Sequence, residues 1–448
     1  MFKRILIANR GEIAVRIIRA CREMGITSVT VHSTADRDSL HTELADESIC
    51  IGPAGPADSY LKIPSIIAAA EIADVEAIHP GYGFLAESAR FAAICRESRL
   101  AFIGPSVEAL AMSADKVQSR KKMVDAGVPV VPGSNGIIED ADAACALAKE
   151  IGYPVLVKAA AGGGGRGMRI AHNESTLKHA LSVASTEATN AFDNGSIYIE
   201  KFIDGGRHIE FQILGDQHGN LICLGERECT IQRRHQKLIE ETPSTALTPA
   251  LREAMTEAAL AAAKAVDYSN AGTVEFLLDR AGNFYFIELN ARIQVEHPVT
   301  EEAFCLDLVR EQIRLASGEI LGYDAPAPSF HVIEARVYAE DPDLNFRPNS
   351  GLIKRCHIPG GPGIRVDTHL FSGYEVPHHY DSLLAKVIAR GNTRTEAIER
   401  LSRALNEFFV DNVTTTAKLC ARIVSGQRFR RGEIGPDLLA EYLDKDSR

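Results

Sequence analysis

The chain has 448 residues, 45% of them apolar and 24% charged, with a formal net charge of −11. That length allows about three domain-sized units with full cores, at roughly 150 residues each. The acidic balance argues against general nucleic-acid binding but leaves room for a local anion site. Nine cysteines without a C-x-x-C pair fit a reducing cytoplasm. The apolar run after Met1 is too short for a signal peptide or a membrane span.

Arg4–Ala8 reads as a buried parallel strand. The turn Asn9-Arg10-Gly11 leads into a helix over Glu12–Met24, with Ile13, Ile17 and Cys21 at helical spacing and Gly25 closing it. Val29–His32 completes a β-α-β unit. The unit lacks G-x-G-x-x-G, so it does not point to a dinucleotide. Strands at Ser48–Ile51, Val75–Ile78 and Ala101–Ile103 complete a Rossmann-like domain over 1–113.

The region 114–328 opens with a helix at Lys116. It continues through strands at Pro154–Lys158, Met168–Ile170 and Ile197–Phe202. Two strand pairs follow, 207–214 with 220–226 and 271–278 with 283–290, and helices at 249–265 and 303–317. Tyr323–Ser329, rich in Pro and Ala, reads as a linker. The rest, 329–448, has short strands broken by Gly and Pro, then helices near 393–409 and 413–424. The expected class is α/β, or α+β overall, with a mobile lid at about 130–204.

Five segments carry candidate chemistry. Lys158 ends a strand before Gly162–Gly165, where consecutive glycines let backbone N–H groups close on phosphate oxygens. The loop is not a Walker A motif, because no Gly-Lys-Ser/Thr follows. Glu200–Ile203 is a strand end whose backbone can meet an adenine edge, although from these residues alone a plain surface strand end is the stronger reading. Gln232–Lys237 is a basic knot in an acidic chain, either a solvated charge run or an anion site. His79–Gly83 follows a strand end of the first domain, where open α/β sheets place ligands; a simple turn fits it too.

The fifth segment is Glu288–Glu296. Ile287, Leu289, Ala291, Ile293 and Val295 share one face of an alternating pattern, and Glu288, Asn290, Arg292, Gln294 and Glu296 the other. The polar row offers hard oxygen ligands, a fixed cation and a second carboxylate. Fully extended, it would span about 26 Å at ~3.3 Å per residue, too long for one site. The chain is therefore expected to bend near Ala291–Ile293. Glu275 and Glu288 lie on strands joined by a short turn, Asp279–Asn283, and a hairpin would bring both to one face near Asn290, a set suited to magnesium.

Together these pieces resemble the ATP-grasp superfamily, and within it biotin carboxylase. The resemblance runs from Ile7–Ala14 through His79–Leu85, the glycine loop, Glu226–Cys229 with Gln232–Lys237, and Glu288–Val299. It ends with Glu334–Arg336, Ala339–Pro342 and Tyr380–Lys386. It implies a Rossmann-like domain at 1–113, an ATP-grasp domain at 114–328 and a mixed C-terminal domain at 329–448. It also implies that Lys116, Lys158, Gly163, Gly164, Gly165, Glu200, Lys201, Ile203, His208, Gln232 and His235 hold ATP. Glu275, Glu288 and Asn290 would hold Mg2+ or Mn2+. Lys237, Arg292, Gln294 and the Val295 backbone would hold bicarbonate, with Glu296 as base. Arg336 would steady a biotin enolate beside Tyr82. These roles suit the residues: an Arg fork grips a planar oxyanion, and a fixed Arg stabilises charge that develops in the transition state.

The chain departs from the family pattern at Ala161, Cys305, Tyr338, Pro362 and Asn412–Thr416, none of them a catalytic position, while Arg19, Glu23 and Arg365 match the family's dimer contacts. The implied function is ATP-dependent carboxylation of biotin. With no Met-Lys-Met biotinylation motif, a separate biotin carboxyl carrier protein and carboxyltransferase subunits are expected as partners, with a homodimer, a cytoplasmic location and no nucleic acid or membrane. Two alternatives remain. Another ATP-grasp carboxylate–amine ligase would leave 232–237 and 334–336 unexplained. A non-catalytic assembly subunit would not need every catalytic position occupied.

Overall fold

A computed structural model describes residues 1–134, 136–138, 140–160, 168–192 and 194–443. The first region is built from β1 (Arg4–Ile7), α1 (Gly11–Glu23), β2 (Thr27–Ser33), β3 (Glu47–Gly52), β4 (Ala77–His79) and β5 (Ala101–Phe102). These strands form one parallel sheet in the order β3-β2-β1-β4-β5. Ile5, Leu6 and Ile7 are all fully buried, as a strand covered on both faces requires. Gly11 enters α1 at φ +67° and Gly25 leaves it at φ +69°, backbone positions where a Cβ is disfavoured.

The segment expected to form a lid carries its own small fold. After α2 (Lys116–Asp125), the strands β6 (Val155–Ala159), β7 (Arg169–Ala171) and β8 (Ile197–Lys201) pair antiparallel in the order β7-β6-β8, with α3 (Glu174–Phe192) packed on them. A separate apolar cluster, including Val155, Val157, Leu177 and Ile199, lies inside it.

The central sheet is larger than its sequence indicates. It comprises β9 (Arg207–Gly215), β10 (Leu221–Arg233), β11 (Gln236–Thr242), β12 (Asn270–Leu278), β13 (Phe284–Asn290), β14 (His331–Tyr338), β15 (Ile364–Thr368) and β16 (Leu383–Gly391). Their order is β13-β12-β9-β10-β11-β14-β16-β15, antiparallel throughout. One sheet therefore runs through the Tyr323–Ser329 segment read as a linker. The basic knot at 232–237 is not a loose run but a hairpin. Arg234 and His235 sit at φ 47° and 68°, the left-handed pair of a two-residue hairpin turn, and β11 follows at once.

The helix α4 (Pro249–Ala265) has the expected bounds. The helix expected over 303–317 is instead two, α5 (His297–Phe304) and α6 (Leu308–Ala316). Cys305 breaks them in the left-handed conformation at φ 54°, where the family pattern carries glycine, the usual residue for such a helix end. Asn412, likewise at φ 64°, stands at another family glycine. Asn tolerates this region better than most residues. The helices α7 (Arg394–Glu407) and α8 (Ala417–Ser425) cover one face of β14 and β16, where Ile333, Ala335 and Val337 join the C-terminal core. The opposite face of β14 turns toward α5 and α1, as Val332 and Ile388 pack with Ile13, Ile17 and Val299. Among the described residues no helix is long and apolar enough to cross a membrane.

Candidate active site

The floor of the site is the β12–β13 hairpin, in which Glu275 stands directly opposite Glu288. As expected from the span argument, β13 stops at Asn290. Ala291 and Ile293 then turn fully into the core, and Glu296 immediately precedes α5. The bend folds the polar row onto itself: Asn290 Nδ2 and Gln294 Nε2 each donate to Glu275 Oε1 at 2.7 Å. His208 Nε2 lies 2.8 Å from Glu275 Oε2. Burial opposes the charge on Glu275, but Lys237 and His208 hold its carboxyl below the usual range. Glu288 goes the other way, since enclosure in the cleft and the charge of Glu275 push it up. Two opposed carboxylates, one reluctant to ionise, beside an amide oxygen fit a hard divalent cation, which would relieve their repulsion.

Lys237 enters from the β10–β11 hairpin. Its ammonium lies 2.5 Å from Glu210 Oε2, 2.6 Å from Glu296 Oε1 and 3.3 Å from Glu275 Oε1. Arg336 comes from β14, the next strand. Its Nη2 donates to Glu296 Oε2 at 2.8 Å and its Nε to Glu240 Oε1 at 2.6 Å. Glu296 is thus gripped at both oxygens. Burial disfavours its charge, but Lys237 and Arg336 prevail and drive its carboxyl well below the usual range. Arg292 stands in the bend itself, with Nε 3.1 Å from Glu87 Oε2 and Nη2 donating to Asn290 Oδ1 at 3.1 Å. The Val295 carbonyl accepts from Lys386 Nζ at 2.9 Å, and Lys386 in turn lies 3.1 Å from Glu12 Oε1. Tyr82 reaches the site through that carboxylate, to which its hydroxyl donates.

The other end of the cleft gathers cations. Lys116 opens α2, Lys158 lies on β6, His208 on β9 and His235 in the hairpin turn. Partial burial lowers the pKa of His235, and the charges of His208, Lys158 and Lys116 lower it further. The cations Lys116 and Lys158, with His208 and the neutral His235 beside them as hydrogen-bonding groups, suit a polyphosphate. Lys158 Nζ is held 2.5 Å from Glu200 Oε2, which Arg120 also engages at 3.1 Å. The Lys201 ammonium donates to the carbonyls of Gly152 and Tyr153 at 2.9 and 3.0 Å, and its amide to the Pro132 carbonyl. Ile203 lies in the loop just past β8, and Gln232 pairs with Lys237 in the ladder. Gly163, Gly164 and Gly165 lie outside the described residues.

Several partners in this network were not singled out from the sequence. Arg227, fully buried, donates to Glu210, Gln212, Thr300, Thr273 and Gln294. It links the sheet to α5 and to the bend. Glu210 lies two residues after His208 on one strand and opposite Arg227 in register, so strand alternation from His208 would have found it. Glu87, Glu240 and Glu12 reach the site across long sequence separations that no local pattern encodes.

Three family models cover the chain in succession: the biotin carboxylase N-terminal domain at residues 1–110, the carbamoyl-phosphate synthase L chain ATP-binding domain at 115–323, and the biotin carboxylase C-terminal domain at 334–441. Biotin carboxylase from Nostoc sp. is 53% identical over 442 residues, covering 98% of this chain and 99% of that protein. The crystal structure of a Campylobacter jejuni biotin carboxylase–β-γ-ATP complex matches with a TM-score of 0.96 at 46% identity, covering 98% of this chain and 99% of that one. The biotin carboxylase domain dimer of Hydrogenobacter thermophilus 2-oxoglutarate carboxylase, in complex with MgADP, ADP and bicarbonate, matches with a TM-score of 0.95 at 46% identity and 99% coverage of both chains. With that likeness over essentially its whole length, the chain belongs to the biotin carboxylase family.

Proposed function

We propose that this chain carboxylates biotin at the expense of ATP. ATP and bicarbonate give carboxyphosphate and ADP; carboxyphosphate breaks down to CO2 and phosphate; the phosphate, or an equivalent base, takes the N1′ proton of biotin, and the resulting enolate captures CO2. The observation that carries this reading is the Lys237–Glu296–Arg336 chain, which joins the carboxylate hairpin to the C-terminal strand β14. In this reading Lys116, Lys158 and His235 bind the phosphates, with Glu200 and Ile203 at the base. Magnesium held by Glu275, Glu288 and Asn290 would neutralise phosphate charge. Lys237, Arg292 and Gln294 orient bicarbonate, and Glu296, kept ionised by its two cations, takes its proton. Arg336 then faces the enolate.

Residues 1–113, 114–328 and 329–448 serve as the pre-grasp, grasp and biotin-facing parts. The substrate is biotin on a separate carrier protein. A carboxyltransferase, of acetyl-CoA carboxylase or of a related acyl-CoA or oxo-acid carboxylase, takes the product onward. A homodimer in the cytoplasm fits Arg19, Glu23 and Arg365 at family contact positions and nine cysteines without a disulfide. The test is steady-state ATP hydrolysis with Mg2+. Hydrolysis should require bicarbonate and rise when free biotin is added. Turnover indifferent to biotin and stimulated by an amine or amino acid would favour a carboxylate–amine ligase, and no turnover at all an assembly subunit.

A further inference from the structure

Behind Arg336 the same strand carries an unaccounted carboxyl. Glu334 is fully buried, and among the described residues neither of its oxygens has a hydrogen-bond partner. It sits two residues before Arg336, on the same face of β14, about 7 Å along the strand. Directly across the ladder on β11 stands Glu240. Glu240 Oε1 is taken by Arg336, while its Oε2 is unpartnered. Opposed side chains on neighbouring strands stand about 5 Å apart at Cβ, and two like charges there are unfavourable.

The other charged groups of this layer already have partners. Lys386 on β16 serves Val295 and Glu12. Arg365 and Asp367 on β15 pair with each other, and Arg365 also with Glu301 of α5. Glu296, at the start of α5, holds Lys237 and Arg336. His297, next in α5, is kept neutral by burial and by the nearby charge of Lys386. On the far side of the sheet the Cys420 thiol lies against the Arg336 carbonyl, and burial pushes it up to about 12. Among the described residues no cation is paired with Glu334.

We propose that Glu334 is a positioning residue held as a neutral carboxylic acid, and that its missing charge leaves the positive field of Arg336 toward biotin undiminished. A buried carboxylate without a partner is unfavourable, and a proton removes the problem. Burial pushes the Glu334 carboxyl well above the usual range, against Lys386, and Glu240 adds to the rise. Arg336 already faces two carboxylates, Glu240 and Glu296. A third charge on Glu334 would cancel the field that the enolate needs. The part of this inference that concerns biotin rests on the function proposed above; the protonation state does not.

The test compares wild type with Glu334→Gln and Glu334→Met. Infrared difference spectra at neutral pH should show one protonated-carboxyl band in the wild type that is lost from both variants. Carboxybiotin formation should survive in Glu334→Gln. It should fall in the wild type as pH rises and Glu334 ionises, and that alkaline limb should move to higher pH in the Gln variant. A spectrum with no band lost would overturn the inference, because Glu334 would then be ionised. So would failure of both variants to fold, since a neutral acid is replaceable by its isostere. An unchanged alkaline limb would remove the link to Arg336. Loss of ATP cleavage in the wild type would instead sink the functional reading while leaving the band intact.

Discussion

Replacing Arg336 by Ala should uncouple two acts of the reaction. In the structure Arg336 donates to Glu240 and Glu296 through two different nitrogens. Glu296 keeps Lys237 at 2.6 Å when Arg336 is removed, so the base retains one cation and ATP cleavage with bicarbonate should persist. Glu240 loses the Arg336 partner, but burial already pushes its carboxyl up to about 7 despite Arg336, so it takes up a proton near neutrality. The enolate, by contrast, loses its fixed cation. By analogy with a deleted oxyanion donor the cost is ~2.7–4 kcal/mol, or about 10²–10³ in the rate of carboxybiotin formation. Arg336→Lys should recover only part of this, because an ammonium lacks the fork that spans two acceptors. The assay is a ratio, carboxybiotin from labelled bicarbonate per ADP released. It should collapse in Arg336→Ala, whereas Glu296→Ala should lose bicarbonate-dependent ADP release itself. An unchanged ratio in Arg336→Ala, with both rates falling together, would show that Arg336 serves ATP or bicarbonate and refute the division of labour.

Glu288→Lys should abolish turnover at ordinary magnesium, while Glu275→Gln, which keeps the side chain's shape, should chiefly raise the magnesium concentration needed for half-maximal ATP hydrolysis. Lys386→Met should destabilise the fold by ~3–5 kcal/mol in urea titrations, the usual effect of stranding a buried acid such as Glu12; it should also raise the KM for bicarbonate, because the Val295 carbonyl loses its anchor. Amide exchange across residues 130–204 should slow when ATP binds; equal protection with and without nucleotide would argue against a closing lid.

The first domain and the β12–β13 hairpin were legible because their signals are local: continuous apolar runs, helical spacing in α1, and alternation across Glu288. The bend after Asn290 followed from length alone. What stayed hidden was charge inside strands. β11 carries Lys237, Glu240 and Glu241, and β14 and β16 carry Glu334, Arg336 and Lys386, all reading as polar breaks rather than sheet. Buried ionic groups erase the alternation that marks a strand, so the C-terminal half of the sheet looked like short pieces. The split between α5 and α6 was missed because Cys305, unlike glycine, gives no sign of a left-handed residue. Glu87, Glu240 and Glu12 act through contacts far apart in sequence, which the chain specifies only once folded.

The shared eight-stranded sheet bears on how such an enzyme can be taken apart. A cut within Tyr323–Ser329 would separate β11 from β14 and leave two raw strand edges, each with unpaired amides open to aggregation. It would also part Arg336 from Glu240 and Glu296. The central and C-terminal regions are therefore one unit of exchange, to be recombined between carboxylases together or not at all. The lid is the opposite case. With its own three-stranded sheet and its own apolar cluster, it is a module that a chimera could replace whole without touching the strands of the eight-stranded sheet.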